Sequence, residues 1–222
     1  MNPFVWARDS IRRRGLLRTS QIAGSTAADF LFDLRYGTDT RRWVDAQELD
    51  TDSENKAHAV HYQATKARPF LKLLRSLGLP KDSVFVDFGS GKGRVLLLAA
   101  HHGFKRVVGV EFSPQLCALA RSNIAAFSKV APLGSPIEVI EADATRFEIG
   151  ADLNVFYLYN PFDPPVLSKV LDNLRRSVES APRKLWLIYN TPKHHELIRQ
   201  SGLFGDGARH EIGGTDFTVY TR

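Results

Sequence analysis

Residues 85–94 read FVDFGSGKGR: an apolar run that ends in an acid, then glycine at 89, 91 and 93. Glycine loses more backbone freedom on folding than any other residue, so three within five positions answer to a demand of shape. The demand that fits is a tight strand-to-helix turn whose main chain comes close to a bound molecule. The flanks identify what the turn joins. SVFVDF (83–88) has the β-branched and aromatic make-up of a short buried strand. GRVLLLAAHHGF (93–104) continues as a mostly apolar helix.

The same alternation extends in both directions. A helix over 66–77 precedes the turn, with Phe70, Leu71, Leu73, Leu74 and Leu77 on one face and Gly78 and Pro80 ending it. After it, RVVGVEF (106–112) is a second strand. Ser113 and Pro114 suit an N-cap and first helical position, and Leu116, Leu119, Ala120, Ile124 and Phe127 keep helical spacing beyond them. PIEVIEAD (136–143) and NVFYLYNPF (154–162) are the third and fourth strands, residues 164–178 a helix, and KLWLIYN (184–190) the fifth strand. A short helix near 193–200 and strands near 208–212 and 216–221 complete the chain. This order predicts an α/β fold: a doubly wound, mainly parallel sheet of seven strands covered on both faces. Ligands of such sheets bind beyond the carboxyl ends of the strands, which is where FVDFGSGKGR emerges.

Two ligand classes compete for that turn. A dinucleotide fingerprint reads G-x-G-x-x-G and sets a pyrophosphate over the helix N-terminus. Here the third glycine comes one residue early, and Arg94 holds its expected position. Asp87 would repel a diphosphate. It suits a cation or an amine, and S-adenosylmethionine (SAM) carries an ammonium and a sulfonium and no phosphate. The sequence favours SAM over NAD.

These motifs resemble the class I SAM-dependent methyltransferases, with a Rossmann-like fold, across about residues 61–222. Asp87, Gly89, Ser90, Gly91 and Gly93 look like their first, cofactor-binding motif. Glu111, with Phe112 beside it, looks like the second-strand carboxylate that accepts ribose hydroxyls, 18 residues after Gly93. Asp143, with Ala144, looks like the third-strand-end position that meets the adenine amino group, although Glu141 and Thr145 compete for that role. Asn160, Pro161 and Phe162 look like the fourth motif beside the transferred methyl, which implies a catalytic role, and Asn160 also borders the cofactor. A narrower resemblance is to bacterial proteins similar to the Dot1-like and ATP-synthase-c-subunit lysine methyltransferases. It rests on FDLRYGTDT (32–40), Tyr62 and Thr65 in a Y-x-x-T stretch, GKGRVLLLA and YNPF, and it adds Tyr62 and Thr65 to the cofactor-site candidates. The sequence departs from that pattern at Ala64, where related chains often carry proline, and in reading NPF where many amide and adenine N-methyltransferases read NPPY.

The resemblance implies an enzyme that transfers methyl from SAM to an amine, foremost a protein lysine. A small-molecule or RNA methyltransferase is the alternative within the class, and a SAM-binding module without catalysis the alternative outside it.

Composition bounds the rest. The 222 residues are 43% hydrophobic and 24% charged, ordinary for a globular protein with a sizeable core. The net charge of +6 divides into +4 over residues 1–20, −4 over 21–60 and +6 over 61–222. This sets an N-terminal basic arm and helical extension (1–60) apart from a methyltransferase domain (61–222). Arginines interleaved with Phe4, Trp6, Ile11 and Leu16 suit either a solvated arm or a short basic helix touching a polyanion or membrane surface, and the Arg-rich composition also resembles a transit peptide. No apolar run reaches membrane-spanning length, and residues 1–20 lack the apolar stretch of a secretory signal. The single cysteine, Cys117, lies in an apolar helical pattern and suits a buried thiol in a reducing, cytoplasmic setting. The pairs His101–His102 and His194–His195 lack partners at ligand spacing, so no metal is expected.

Overall fold

The computed structural model describes residues 3–42, 44 and 63–222. Seven strands form one sheet in the order β3-β2-β1-β4-β5-β7-β6. They are β1 (Val84–Phe88), β2 (Arg106–Glu111), β3 (Ile137–Glu141), β4 (Leu153–Leu158), β5 (Trp186–Asn190), β6 (Ala208–Ile212) and β7 (Thr215–Thr221). The first five are mutually parallel, and β7 runs antiparallel to both β5 and β6. The helices are α1 (Pro3–Arg14), α2 (Leu16–Tyr36), α3 (Ala67–Leu77), α4 (Arg94–His102), α5 (Pro114–Ser128), α6 (Pro164–Ser180) and α7 (His195–Gln200). The seven-stranded α/β expectation therefore holds. Ser113 also caps α5 as its sequence position implies, its side chain accepting from the Leu116 N–H with Pro114 in the first turn.

Side-chain alternation along β1 divides the core in two. Val84, Val86 and Phe88 join the cluster built with Leu167, Val170 and Leu174 of α6. Phe85 joins the opposite cluster, with Phe70 and Leu73 of α3 and Val95 and Leu96 of α4. Asp87 falls on the Phe85 face, at the end of the buried strand just before the glycines. Each large apolar side chain removed from water on these faces contributes about 1.5–3 kcal/mol. Cys117 is buried, and burial pushes its thiol up to about 12.

The described part of the N-terminal segment is helical. Gly15 separates α1 from α2, and α2 runs from Leu16 across the charge boundary at residue 20. Val5, Ile11, Leu16, Phe30, Leu31 and Leu34 are exposed on these two helices. No helix among the described residues is long and apolar enough to cross a membrane.

Candidate cofactor and acceptor site

The glycine turn is fixed chiefly by backbone. The Gly89 and Ser90 N–H groups both donate to the Val110 carbonyl at 2.8 and 3.2 Å, and the Gly93 N–H donates to Ser90 O at 2.9 Å. Gly89, Gly91 and Gly93 have φ of 75°, 54° and 81°, a region that side-chain-bearing residues rarely adopt. A Cβ placed on Gly89 would stand 2.7 Å from Cβ of Pro161, so the turn is in contact with the NPF stretch. The parallel pairing of β1 with β4 brings these two strand ends together.

Two carboxylates lie under the turn. Glu111 ends β2, and its Oε2 accepts the Gly91 N–H at 2.8 Å while its Oε1 accepts the Ser113 N–H at 3.1 Å. Burial pushes Glu111 above the ordinary carboxylate range, and the backbone donors pull it partly back. Asp87 is only 3% exposed. Burial, and then the neighbouring Glu111 charge, hold it well above its ordinary value. Both acids line a cavity with Gly89, Ser90, Gly91, Phe112, Leu116 and Thr65, closed on the β4 side by Tyr157, Tyr159 and Pro161.

The turn's two cations are committed elsewhere. Lys92 Nζ pairs with Asp39 at 2.9 Å, and Arg94 pairs with Asp29 at 2.8 Å and Asp33 at 3.2 Å. A diphosphate would therefore find two buried acids and no uncommitted cation in the turn. A ligand bearing an ammonium and a sulfonium finds what it needs. Ser90 Oγ is buried beside Gly109 without a hydrogen-bond partner among the described residues. The residues present fit SAM.

The remaining candidates divide. Thr65 is buried beside the cavity, its Oγ1 2.7 Å from the Tyr157 hydroxyl. Tyr62 lies outside the described residues. Asp143 and Ala144 follow β3 and do not join the cavity lining; Asp143 Oδ1 accepts the Thr145 N–H at 2.8 Å and the Thr145 hydroxyl at 2.7 Å. Asn160 is buried with φ of 46°, and its Oδ1 accepts the Tyr189 hydroxyl at 2.9 Å. Phe162 packs on the core cluster of Leu158 and Leu167, while Tyr159, three residues earlier, lines the cavity. No cluster of three metal-ligating side chains occurs among the described residues.

Sequence reading missed a polar layer under the β4 and β5 ends. The Tyr157 hydroxyl accepts from Asn190 Nδ2 at 2.9 Å, Tyr159 bonds Thr191, and Thr191 has φ of 52°. The signal was present. Tyr-Asn closes both strands (159–160 and 189–190), and Tyr157 and Tyr159 share a face by alternation.

Comparison with known proteins agrees with this geometry. Residues 85–181 match the family described as "Methyltransferase domain". A stretch of 77 residues is 38% identical to the release factor glutamine methyltransferase of Mycolicibacterium smegmatis, covering 34% of this chain and 25% of that protein. The matched stretch thus spans about a quarter of that relative. A SAM-dependent methyltransferase from Aquifex aeolicus shares the fold, with a TM-score of 0.55 at 15% identity over 69% of this chain and 88% of that one. The ribosomal protein L11 methylase of Lactobacillus delbrueckii subsp. bulgaricus does so with a TM-score of 0.54 at 15% identity, over 75% and 82%. Residues 85–181 thus match a methyltransferase domain, and the chain has the Rossmann-like fold of these SAM-dependent methyltransferases.

Proposed function

We propose that the protein methylates nitrogen, with a protein lysine as the foremost acceptor and SAM as the donor. The observation that carries this reading is the contact of the NPF stretch with the glycine turn, above a cavity holding two buried carboxylates. SAM would supply a methyl group already activated by its sulfonium. Asp87 would meet the cofactor's positive charge, and Glu111 would accept from its ribose hydroxyls. The backbone of 89–93 allows close approach. Phe112 and Thr65, which line the same cavity, add to the assigned cofactor contacts.

The chain's remaining task is alignment and exclusion of water. The Pro161 carbonyl and the second lone pair of Asn160 Oδ1 accept the N–H groups of a neutral amine and aim its lone pair. Tyr159 lies against the developing cationic nitrogen, a contact worth about 0.5–2 kcal/mol. The amine's proton leaves to solvent before or during docking. Phe162 supports this loop from the core.

A glutamine amide is the second acceptor this reading admits, because the M. smegmatis relative is named for one. The exposed apolar residues and arginines of α1 also suit a polyanion or an anionic membrane as a partner for residues 1–20. The test is transfer of radiolabelled methyl from SAM into a lysate of the source organism, followed by identification of the labelled species. Label on lysine supports the reading. Label confined to RNA or small molecules replaces it with the corresponding alternative, and no label with intact SAM binding leaves a binding module.

A further inference from the structure

The stretch FDLRYGTDT (32–40) has no part in the chemistry proposed above, yet it is densely bonded. Asp33 organises it. Its Oδ1 accepts the Thr38 hydroxyl at 2.7 Å and the Thr40 hydroxyl at 2.6 Å, and its Oδ2 accepts the Arg41 N–H at 2.9 Å. Gly37 makes this fold-back possible, with φ of 64° just after α2. The result is a loop that returns over the carboxyl end of α2 and presents acids and hydroxyls to the glycine turn.

The turn meets it with its two buried cations. Lys92 is 2% exposed and Arg94 1%. Burying either without a partner would be strongly unfavourable. Arg94 is met by Asp29 at 2.8 Å, by Asp33 at 3.2 Å, by the Thr40 hydroxyl at 2.7 Å from Nε, and by the face of Phe32 at 5.0 Å. Lys92 is met by Asp39. A third tie is neutral. Asn123 of α5 donates from Nδ2 to the Lys92 carbonyl at 3.0 Å and accepts the Asp39 N–H at 2.8 Å on Oδ1, stitching the loop to the turn's main chain. Asp29 also accepts the Ala67 N–H at 3.2 Å, which fixes α2 to the start of α3.

We infer that residues 29–41 are a clamp behind the cofactor site, which holds the glycine turn in its binding conformation by fixing Lys92 and Arg94. The inference rests on the SAM reading above. It assigns positioning roles to Asp29, Asp33 and Asp39, none of which lines the cavity, and it explains why the turn reads G-K-G-R. Gly89 and Gly91 line the cavity, as Arg94 does in part, and the side chains of Lys92 and Arg94 reach the acids of the extension. The end of β2 holds the turn on one side, through the Val110 carbonyl and Glu111, and the extension holds it on the other.

The experiment uses the full chain, with S-adenosylhomocysteine as the calorimetric probe and hydrogen exchange of residues 89–94 measured without ligand. Asp33→Asn should weaken probe binding about tenfold or more, the scale of removing a charge-assisted hydrogen bond from a buried site, and should speed exchange in 89–94. Asp39→Asn, at a half-exposed carboxylate, should weaken binding about two- to fivefold, and Asp39→Lys combined with Lys92→Asp should recover much of the loss. Circular dichroism checks the fold, and if Asp33→Asn fails to fold, the Asp39 pair carries the test. Unchanged affinity and unchanged exchange in the variants overturn the clamp. A wild-type chain that does not bind the probe overturns the SAM reading instead, and the exchange comparison still decides the clamp.

Discussion

The ends of β2 and β4 flank the end of β1, and they are built from different materials. At the β2 end a carboxylate is held by main chain: Glu111 accepts the N–H groups of Gly91 and Ser113. At the β4 end side chains hold side chains: Tyr189 donates to Asn160, and Tyr157 joins Thr65 and Asn190. Backbone donors from a glycine turn are fixed once the turn folds. Hydroxyl and amide partners drawn from three separate segments are fixed only when the whole sheet has assembled. The β2 end is thus set by main chain and the β4 end by side chains, and substitutions on the two sides should separate binding from turnover.

The largest expected effect is on the cofactor side. Asp87→Asn should weaken SAM binding by about 2–5 kcal/mol, the scale of removing one partner from a buried charge pair, with calorimetry as the measurement. The same change should stabilise the ligand-free protein. Burial and Glu111 raise the Asp87 pKa in the folded state. A raised folded pKa gives a contribution fully present below the unfolded value, near ~4, and lost as pH rises through the folded value. At neutral pH the buried carboxyl is therefore a liability to the free protein, and asparagine removes it. A thermal melt at pH 7 should show a higher midpoint for Asp87→Asn, and the gap should close as pH falls toward ~4. A lower midpoint at pH 7 would mean the carboxylate is compensated in the free protein and would break the comparison.

Asn160→Ala should do the reverse. It should leave SAM affinity nearly unchanged and lower turnover by roughly 10²-fold, the scale of lost positioning. A parallel loss of SAM affinity would place Asn160 on the cofactor side.

Legibility from sequence followed the same division. The order of strands and helices and the Ser113 cap could be read because each depends on neighbours within a few residues, whereas Glu111 beside the glycines was implied by the resemblance and depends on the pairing of β1 with β2. Contact between Gly89 and Pro161 followed from expecting both at adjacent strand ends. The partners of Lys92 and Arg94 could not be read, since Arg94 meets Asp29 across 65 positions of chain. Nothing in FDLRYGTDT states which surface it folds onto. Phe162 illustrates the remaining difficulty: an aromatic beside a motif can face the cavity or the core, and here it packs on Leu158 and Leu167 while Tyr159 takes the cavity wall.

Glu111→Ala is a smaller test of the cofactor side. It should weaken SAM binding by about 1.5–3 kcal/mol, the scale of a lost charge-assisted hydrogen bond, and it also frees the Gly91 N–H. Glu111→Gln should recover part of the loss, because an amide oxygen can still accept from Gly91. Equal losses in both variants would show that the charge matters and the backbone bond does not.

The smallest expected effect tests whether the acceptor side is held by side chains as described. Tyr189→Phe removes one hydroxyl and keeps the ring, so packing is conserved while the bond to Asn160 Oδ1 is lost, together with the one from the His194 backbone. Removing a neutral hydrogen bond costs about 0.5–1.5 kcal/mol. That corresponds to a turnover loss of about two- to twelvefold at unchanged SAM affinity, less than for Asn160→Ala. The difference is expected because Asn160 keeps its left-handed backbone, which asparagine tolerates better than most residues. Burial pushes the Tyr189 hydroxyl up to about 12, so it stays a donor through the neutral and mildly alkaline range. The wild-type turnover profile should therefore show no loss from tyrosine ionisation below pH ~10, the ordinary phenol value, and the Phe variant should have a profile of the same shape at lower height. A change of shape would mean that Tyr189 moves a proton in the reaction, and the two strand ends would then differ in chemistry as well as in construction.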